Sequence, residues 1–235
     1  MTLPAAPNKL GITDSIALES AEGVTSGLRI AELEESPIIG KFDVLHLKEI
    51  HRYIFQDVYH HAGQFHEINH TRLKKRVPEC GDEKYAVYYP AISFAKQSLN
   101  DEMAAIFNDL SGSGISHDEL ADKLTKLYAV IDYAHPFQEG NSRTLREFCS
   151  SLARSYGFTL DWGTSNADGK TRDQLYAARD VMVLGRVIHD VQTESQMFGI
   201  SRTLHSLKDR PKLFSLISQS LSIDIPVSGN RFTRK

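Results

Sequence analysis

The chain has 235 residues, 41% of them hydrophobic and 24% charged, with a net charge of −3. That is enough apolar content for one substantial core and too little positive charge for the basic footprint of a general nucleic-acid binder. Two cysteines, Cys80 and Cys149, make no disulfide framework, no run approaches the length of a membrane span, and Met1–Pro7 lacks the basic start and apolar stretch of a secretory signal, so the expected compartment is a reducing cytoplasm.

Residues 1–8 carry no periodic pattern and are expected to be disordered. Helical spacing then predicts helices near 13–35 and 43–58. Between 63 and 90 that rhythm breaks. Arg72, Lys74, Lys75, Arg76 and Val77 lead into Pro78, and Tyr85-Ala86-Val87-Tyr88-Tyr89 follows, a pattern that reads as a short hairpin. A helix near 91–110 precedes the polar loop Ser111-Gly112-Ser113-Gly114, after which Ser116 and Glu119 have the spacing of a capping box. Leu120, Leu124, Leu127, Ile131 and Ala134 recur on one face of the helix this box starts, near 116–134. A second amphipathic helix near 142–156 carries Leu145, Phe148, Cys149, Leu152 and Tyr156, and Gly157 is placed to end it. Further helices are expected near 171–190 and 211–222, and the chain closes in a polar tail with Arg231, Arg234 and Lys235, a linker, a solvated end or a secretion address. No internal repeat is present.

The chemistry lies between the two amphipathic helices, in His135-Pro136-Phe137-Gln138-Glu139-Gly140-Asn141-Ser142-Arg143-Thr144-Leu145-Arg146. Gly140 permits a positive φ or a close approach to a ligand, and the first N–H groups of the helix starting near Asn141 or Ser142 have no intrahelical partners, so loop and helix start form an anion nest sized for a pyrophosphate. Arg143 and Arg146, three apart, share one face of the first turn and present forked donors to phosphate oxygens. Glu139 offers one hard oxygen, which with phosphates and water is a common way to hold Mg²⁺. His135, with an ordinary pKa of about 6.5, is the natural general base. The pairs His46 and His51, and His60 and His61, lack the spacing of a helical zinc signature, so no structural zinc is expected and His51 reads as a core residue.

This run resembles the Fic signature, H-x-F-x-[D/E]-G-N-[G/K]-R-x-x-R, departing from it only at Ser142, which can still expose its N–H and cap the helix. The likeness extends over roughly residues 8 to 190, through Asn8-Lys9-Leu10-Gly11-Ile12, the run from Phe42 to His51, Phe55–Tyr59 and Ala62–Phe65. The resemblance implies an all-α, mainly helical fold with a short β-hairpin flap, a Fic domain over 9–195 and a C-terminal helical extension and tail over 196–235. It implies that His135 deprotonates a target hydroxyl, that Phe137 anchors the loop, that Glu139 holds Mg²⁺, and that Gly140, Asn141, Ser142, Arg143 and Arg146 bind the phosphates of ATP, the two arginines on the β- and γ-phosphates. The hairpin, through Lys74, Lys75, Arg76 and Val77, would pair with an extended segment of the target, and Asn166, Tyr176 and Arg179 would lie at the adenine.

The implied activity is protein adenylyl transfer: AMP passes from ATP to a Ser, Thr or Tyr hydroxyl of another protein and pyrophosphate leaves. Two alternatives are a Fic-fold transferase of another phosphate-containing group, which the Gly140 position disfavours, and a binding module without turnover. The expected partners are a hydroxyl-bearing target protein and a small antitoxin-type inhibitor acting in trans, with no nucleic acid and no membrane; delivery of the chain into a host cell would fit the same chemistry. Many Fic proteins are restrained by a helix of pattern [S/T]-x-x-x-E-[G/N]. Here Ser15 to Ser20 lacks the final residue, and Glu22-Gly23 has Leu18 where the hydroxyl should be, so Arg146 is expected to meet no intramolecular glutamate and the ATP site to stand open.

Overall fold

A computed structural model describes residues 5–78, 84–108, 114–163, 169–191 and 193–223. In chain order these form α1 (Ser15–Glu35), α2 (Val44–Phe55), β1 (Arg72–Arg76), β2 (Tyr85–Tyr89), α3 (Ile92–Asn108), α4 (His117–Ala134), α5 (Asn141–Ser155), β3 (Phe158–Leu160), α6 (Gly169–Val187), α7 (Glu194–Ser206), α8 (Leu213–Ser220) and β4 (Leu221–Ile223). The fold is mainly helical with a short antiparallel hairpin, β1–β2, as expected, and it has one further small antiparallel pair, β3–β4. No helix among the described residues is long and apolar enough to cross a membrane.

The helix starts follow from their caps. Asp14 accepts from the Ala17 N–H at 2.8 Å to open α1, and Asp43 accepts from the His46 N–H at 2.9 Å to open α2. The capping box at Ser116 and Glu119 forms in both directions and opens α4. That helix is the centre of the molecule. It is apolar on one face in the sequence yet buried on nearly every face from Leu127 to Ala134, because α3, α5, α6 and α8 surround it. Its Leu120, Leu124, Leu127 and Tyr128 join Leu47, Ile54, Phe55, Phe148 and Leu152 in one continuous core.

The β1–β2 hairpin is in register from Arg72 opposite Tyr89 to Arg76 opposite Tyr85. A second apolar cluster holds it down: Val87 and Tyr89 pack with Tyr133 of α4, Val183, Leu184 and Val187 of α6, and Ile200 of α7. The hairpin is therefore bolted at β2, while β1 has no further strand on its outer side among the described residues.

Several elements differ from expectation. Of residues 1–8, expected to be disordered, residues 5–8 are described and are held: the Ala5 N–H donates to Thr13 O at 3.1 Å, and the Asn8 amide donates to Ala6 O and Ile12 O. The helix α7 was missing from the sequence reading because it buries only Ile200 and Thr203, too little for an apolar stripe. β3 and β4 were also missing, each being too short for an alternating pattern to emerge. Gly157 has φ +78° and follows α5 as a turn glycine should. The loop residues Ser111 to Ser113, Cys80, and the basic tail lie outside the described residues.

The segment expected as an extension from residue 196 is part of the core. Leu213, Ile217 and Leu221 are buried in the main cluster, and β4 pairs with β3 directly after α5. Ile217 is 0% exposed, so Ile217→Ala should cost about 2–5 kcal/mol of unfolding free energy. Urea denaturation reads this directly, and a loss under about 1 kcal/mol would mean that α8 does not belong to the cooperative core.

Candidate active site

The segment from His135 to Gly140 has to carry the chain from the end of α4 to the start of α5 between two buried helices. Both ends of it are left-handed: His135, the C-cap of α4, has φ +41°, and Gly140, the N-cap of α5, has φ +76°. A non-glycine residue pays about 1–2 kcal/mol for that conformation, and such strain concentrates at functional sites. At Gly140 only glycine fits, since a Cβ there would stand 2.2 Å from the Phe55 ring.

The loop is clamped from below. The Asn141 side chain accepts from the Phe137 N–H at 2.9 Å and donates to Phe137 O at 2.7 Å. Phe137 is 1% exposed, stacks on the His51 ring with centroids 3.8 Å apart, and meets Phe65 edge-on at 5.2 Å. Its ring is thus fixed in the core between α2 and Phe65. His51 does more than fill the core: its Nδ1 accepts from the Gly63 N–H at 2.8 Å, so its Nε2 carries the hydrogen and donates to Glu139 O at 3.1 Å. Burial pushes the His51 pKa down to about 4.

Above this loop lies a cavity of about 570 Å³ whose wall includes His135, Glu139, Gly140, Asn141, Ser142, Arg143 and Arg146. Lys74 and Arg76 reach it from the hairpin, and Tyr176 and Arg179 from α6. The structure therefore brings nearly every candidate residue to one place. Lys75 and Val77 face a smaller neighbouring cavity of about 190 Å³ with Tyr85 and Tyr176. Asn166 lies outside the described residues. Among the described residues no three His, Cys, Asp or Glu side chains gather as a metal cage, so the donor set here is Glu139 at the cavity wall beside the anion nest.

Four side chains turn out to be committed differently from the expectation. Ser142 does not cap α5; its Oγ accepts from Arg179 Nη1 at 2.5 Å. Asn141 spends its side chain on Phe137, which leaves its backbone to face a ligand. Arg179, expected at an adenine, is 2% exposed and lies beneath the loop between Ser142 and Asp132, with Tyr176 stacked on it at 4.7 Å. Arg76, expected to meet a target, binds Asp180 through two hydrogen bonds of 2.8 and 3.0 Å and donates to the Tyr89 hydroxyl at 2.9 Å. Both arginines are thus paired within the chain while lining the cavity.

Arg143 also has a partner that the sequence reading set aside. Glu22 of α1 forms an ion pair with it, Ser26 accepts from it at 2.6 Å, and the Tyr59 hydroxyl donates to Glu22. The expectation concerned Arg146 and an open ATP site; the site is not open, because a carboxylate is paired with the first motif arginine, Arg143. The inhibitory-helix pattern places its hydroxyl four residues before the glutamate, where this chain has Leu18. Here Ser26 stands four residues after Glu22, on the same helix face, and serves the same guanidinium. Burial and the neighbouring Arg146 pull the Arg143 pKa down to about 10, which still leaves it charged at neutral pH.

The domain is mainly helical and gathers a histidine and two arginines around a glycine-capped helix N-terminus. The sequence pattern of the Fic/DOC family matches residues 41–153. The chain is 35% identical over 178 residues to the protein adenylyltransferase VbhT of Bartonella schoenbuchensis, covering 74% of this chain and 35% of that protein. It is 31% identical over 154 residues to the probable protein adenylyltransferase y4lH of Sinorhizobium fredii, covering 66% of this chain and 73% of that one. Among solved structures, the Fic domain of a Bartonella quintana protein with bound ADP superposes with a TM-score of 0.65 at 21% identity over 94% of this chain and 91% of that one. BepC of Bartonella tribocorum, with bound AMPPNP, gives 0.64 at 20% identity over 95% and 93%. The chain belongs to the Fic/DOC family. It spans about a third of the length of the Bartonella schoenbuchensis relative.

The His51 geometry carries a pH dependence. Its folded pKa of about 4 lies below the ordinary 6.5, so the neutral ring stabilises the fold fully above pH 6.5, and that contribution is lost as pH falls from 6.5 toward 4. The full loss is on the order of 3 kcal/mol. Unfolding free energy measured at several pH values should fall more steeply across this window in the parent than in His51→Gln, whatever the offset between them; equal slopes would remove His51 as the cause.

Proposed function

We propose that this chain is a protein adenylyltransferase, which transfers AMP from ATP to a hydroxyl side chain of a target protein. The observation that carries this reading is the convergence of one histidine, the N-terminus of α5 and two arginines on a single cavity beneath a hairpin with a free outer strand. Relatives named as protein adenylyltransferases and Fic neighbours holding ADP or AMPPNP support it.

The target segment would lie along β1, with backbone hydrogen bonds fixing its register and Lys74 on the cavity side of that strand. His135 takes the hydroxyl proton, the hydroxyl oxygen bonds to the α-phosphorus, and the bond to the β-phosphate oxygen breaks, its electron pair leaving with pyrophosphate. Arg143, Arg146 and the α5 N-terminus receive that charge. A magnesium ion bound by Glu139 and the phosphates would supply charge neutralisation. Tyr176 is the aromatic face in the cavity wall for the nucleoside. Because Glu22 occupies Arg143, ATP must displace it, and an inhibitor in trans would act by reinforcing that block. The activity calls for a compartment with ATP and protein targets, the cytoplasm of the producing cell or of a host.

ATP labelled at the α- or the γ-phosphate, incubated with the chain and lysate protein, tests the reading. Transfer of the α-label alone is expected; transfer of the γ-label would make the chain a kinase, and transfer of neither would make it a binder. His135→Ala should lower α-label transfer by about 100-fold or more while leaving ATP affinity within about twofold, because the phosphates are held elsewhere.

Glu22→Gln keeps the size of the side chain and removes its charge from Arg143. It should tighten ATP binding by about 5- to 30-fold, equivalent to roughly 1–2 kcal/mol. Calorimetric titration with ATP and Mg²⁺ measures this, and an unchanged affinity would mean the ion pair does not compete with phosphate.

A further inference from the structure

Asp132 stands one turn before His135 on α4 and is buried to 1% exposure. Neither of its oxygens has a partner in good hydrogen-bond geometry. The nearest donors are His135 Nδ1, 3.6 Å from Oδ1, and Arg179 Nε, 3.4 Å from Oδ2. His135 Nδ1 is itself buried and unpartnered, aimed at that carboxylate. Two complementary groups, each lacking a partner and each facing the other, are the two halves of one long hydrogen bond.

From this geometry we infer that Asp132 is the positioning residue of the base: it holds the proton on His135 Nδ1 and so leaves Nε2, the nitrogen on the cavity side, as the free acceptor. The inference rests on the reading of His135 as base. When Nε2 takes the target's hydroxyl proton, the ring becomes an imidazolium whose Nδ1–H remains directed at the Asp132 carboxylate. The fixed negative charge offsets the new positive one. The O–P bond forms and pyrophosphate carries away the electron pair of the broken bond, so Asp132 gains and loses nothing.

The surroundings define this role further. His135 faces Asp132 from its own helix, Lys74 and Arg72 from β1, the Tyr89 ring from β2 at 4.1 Å, and Arg179 from α6. Burial pushes the His135 pKa down, Asp132 opposes this, and Lys74 and Arg179 add to the fall. Asp132 is therefore the one group in that set which raises the basicity of the ring. Although burial works against its charge, Arg179 and His135 keep its carboxyl below the usual carboxylate range. Arg179, held in turn by Ser142 and Asp180, fixes the carboxylate from behind. Here Ser142, which departs from the family pattern, joins the base to the phosphate-binding helix.

The test combines a measurement on the parent with one variant. Two-dimensional ¹H–¹⁵N correlation of the histidine ring nitrogens in the parent should show His135 protonated at Nδ1 and bare at Nε2. In Asp132→Asn the preference should be lost or reversed. AMP transfer from α-labelled ATP to lysate protein should fall by about 100-fold or more, with ATP affinity within about twofold, and the acid limb of the rate profile should move to lower pH. A purely structural role would lower the melting temperature without moving the tautomer or the limb. An Nε2–H tautomer in the parent overturns the inference, as does a variant with parent-like rate and acid limb. If Asp132→Asn fails to fold, the parent spectrum decides alone. If the parent transfers no AMP, the adenylyltransferase reading fails while the tautomer still decides the Asp132–His135 pairing.

Discussion

The constraint on which the site depends is the backbone of residues 135–140, which must run between buried helices with no regular hydrogen-bond ladder to satisfy it. Five of its six carbonyls have a named donor. His135 O accepts from Arg72, Pro136 O from the His66 N–H, Phe137 O from Asn141, Glu139 O from His51, and Gly140 O from the Thr144 N–H. Those donors come from β1, the segment before it, α5 and α2. The loop is thus a junction into which four parts of the chain place five donors, two of them from α5, and this explains how a left-handed histidine can be held in one conformation. It also explains why α2 matters to chemistry that it never touches: His51 and Phe55 set the height of the loop, one by a hydrogen bond and the other by filling the space above which only a glycine fits.

Beneath the loop the charges alternate. Arg76 meets Asp180, Asp180 meets Arg179, Arg179 meets Asp132, and Asp132 meets His135. A chain of this kind is a poor device for stability, since desolvating each member costs about as much as its neighbours return. Its value is orientation. Each planar or forked group is fixed by the next, so the ring at the end is aimed without a packed apolar contact on its reactive edge. Tyr89 lies against one face of the ring at 4.1 Å and is itself fixed by Arg76 through its hydroxyl.

The parts legible in the sequence were those that are local. The capping box at Ser116 and Glu119, the two amphipathic helices and the motif between them are contiguous, and each carries its own physical signature. The residues that were missed act at long range. His51 reaches Glu139 across 88 positions and Glu22 reaches Arg143 across 121, so no spacing rule could have paired them. Asp132 is the exception. It lies on the same helix face as His135, one turn away, and a carboxylate at that place in an otherwise apolar last turn was a visible signal. α7 and the β3–β4 pair escaped for the opposite reason: they are contiguous but bury too little of themselves to leave a period.

Arg143 shows how a short site serves two masters. It is three-quarters enclosed by side chains from α1 and α2: Glu22 and Ser26 hold its nitrogens, and Phe55 lies under its carbon at 4.9 Å. The same guanidinium projects from the first turn of the helix whose N-terminus forms the anion nest. One fork cannot be fully paired with a carboxylate and a phosphate together, so under the proposed function ATP and Glu22 would compete for it, and each would weaken the other's hold by an equal free energy. The coupling runs through Tyr59 as well. Its hydroxyl donates to Glu22, and burial raises its pKa to about 12, so it remains a donor throughout the physiological range. Tyr59 sits just beyond α2 in the main core, and Glu22 sits on α1 at its edge. Tyr59 therefore ties the Glu22–Arg143 pair to the main core, so the carboxylate is held by a neutral donor on one side and a guanidinium on the other.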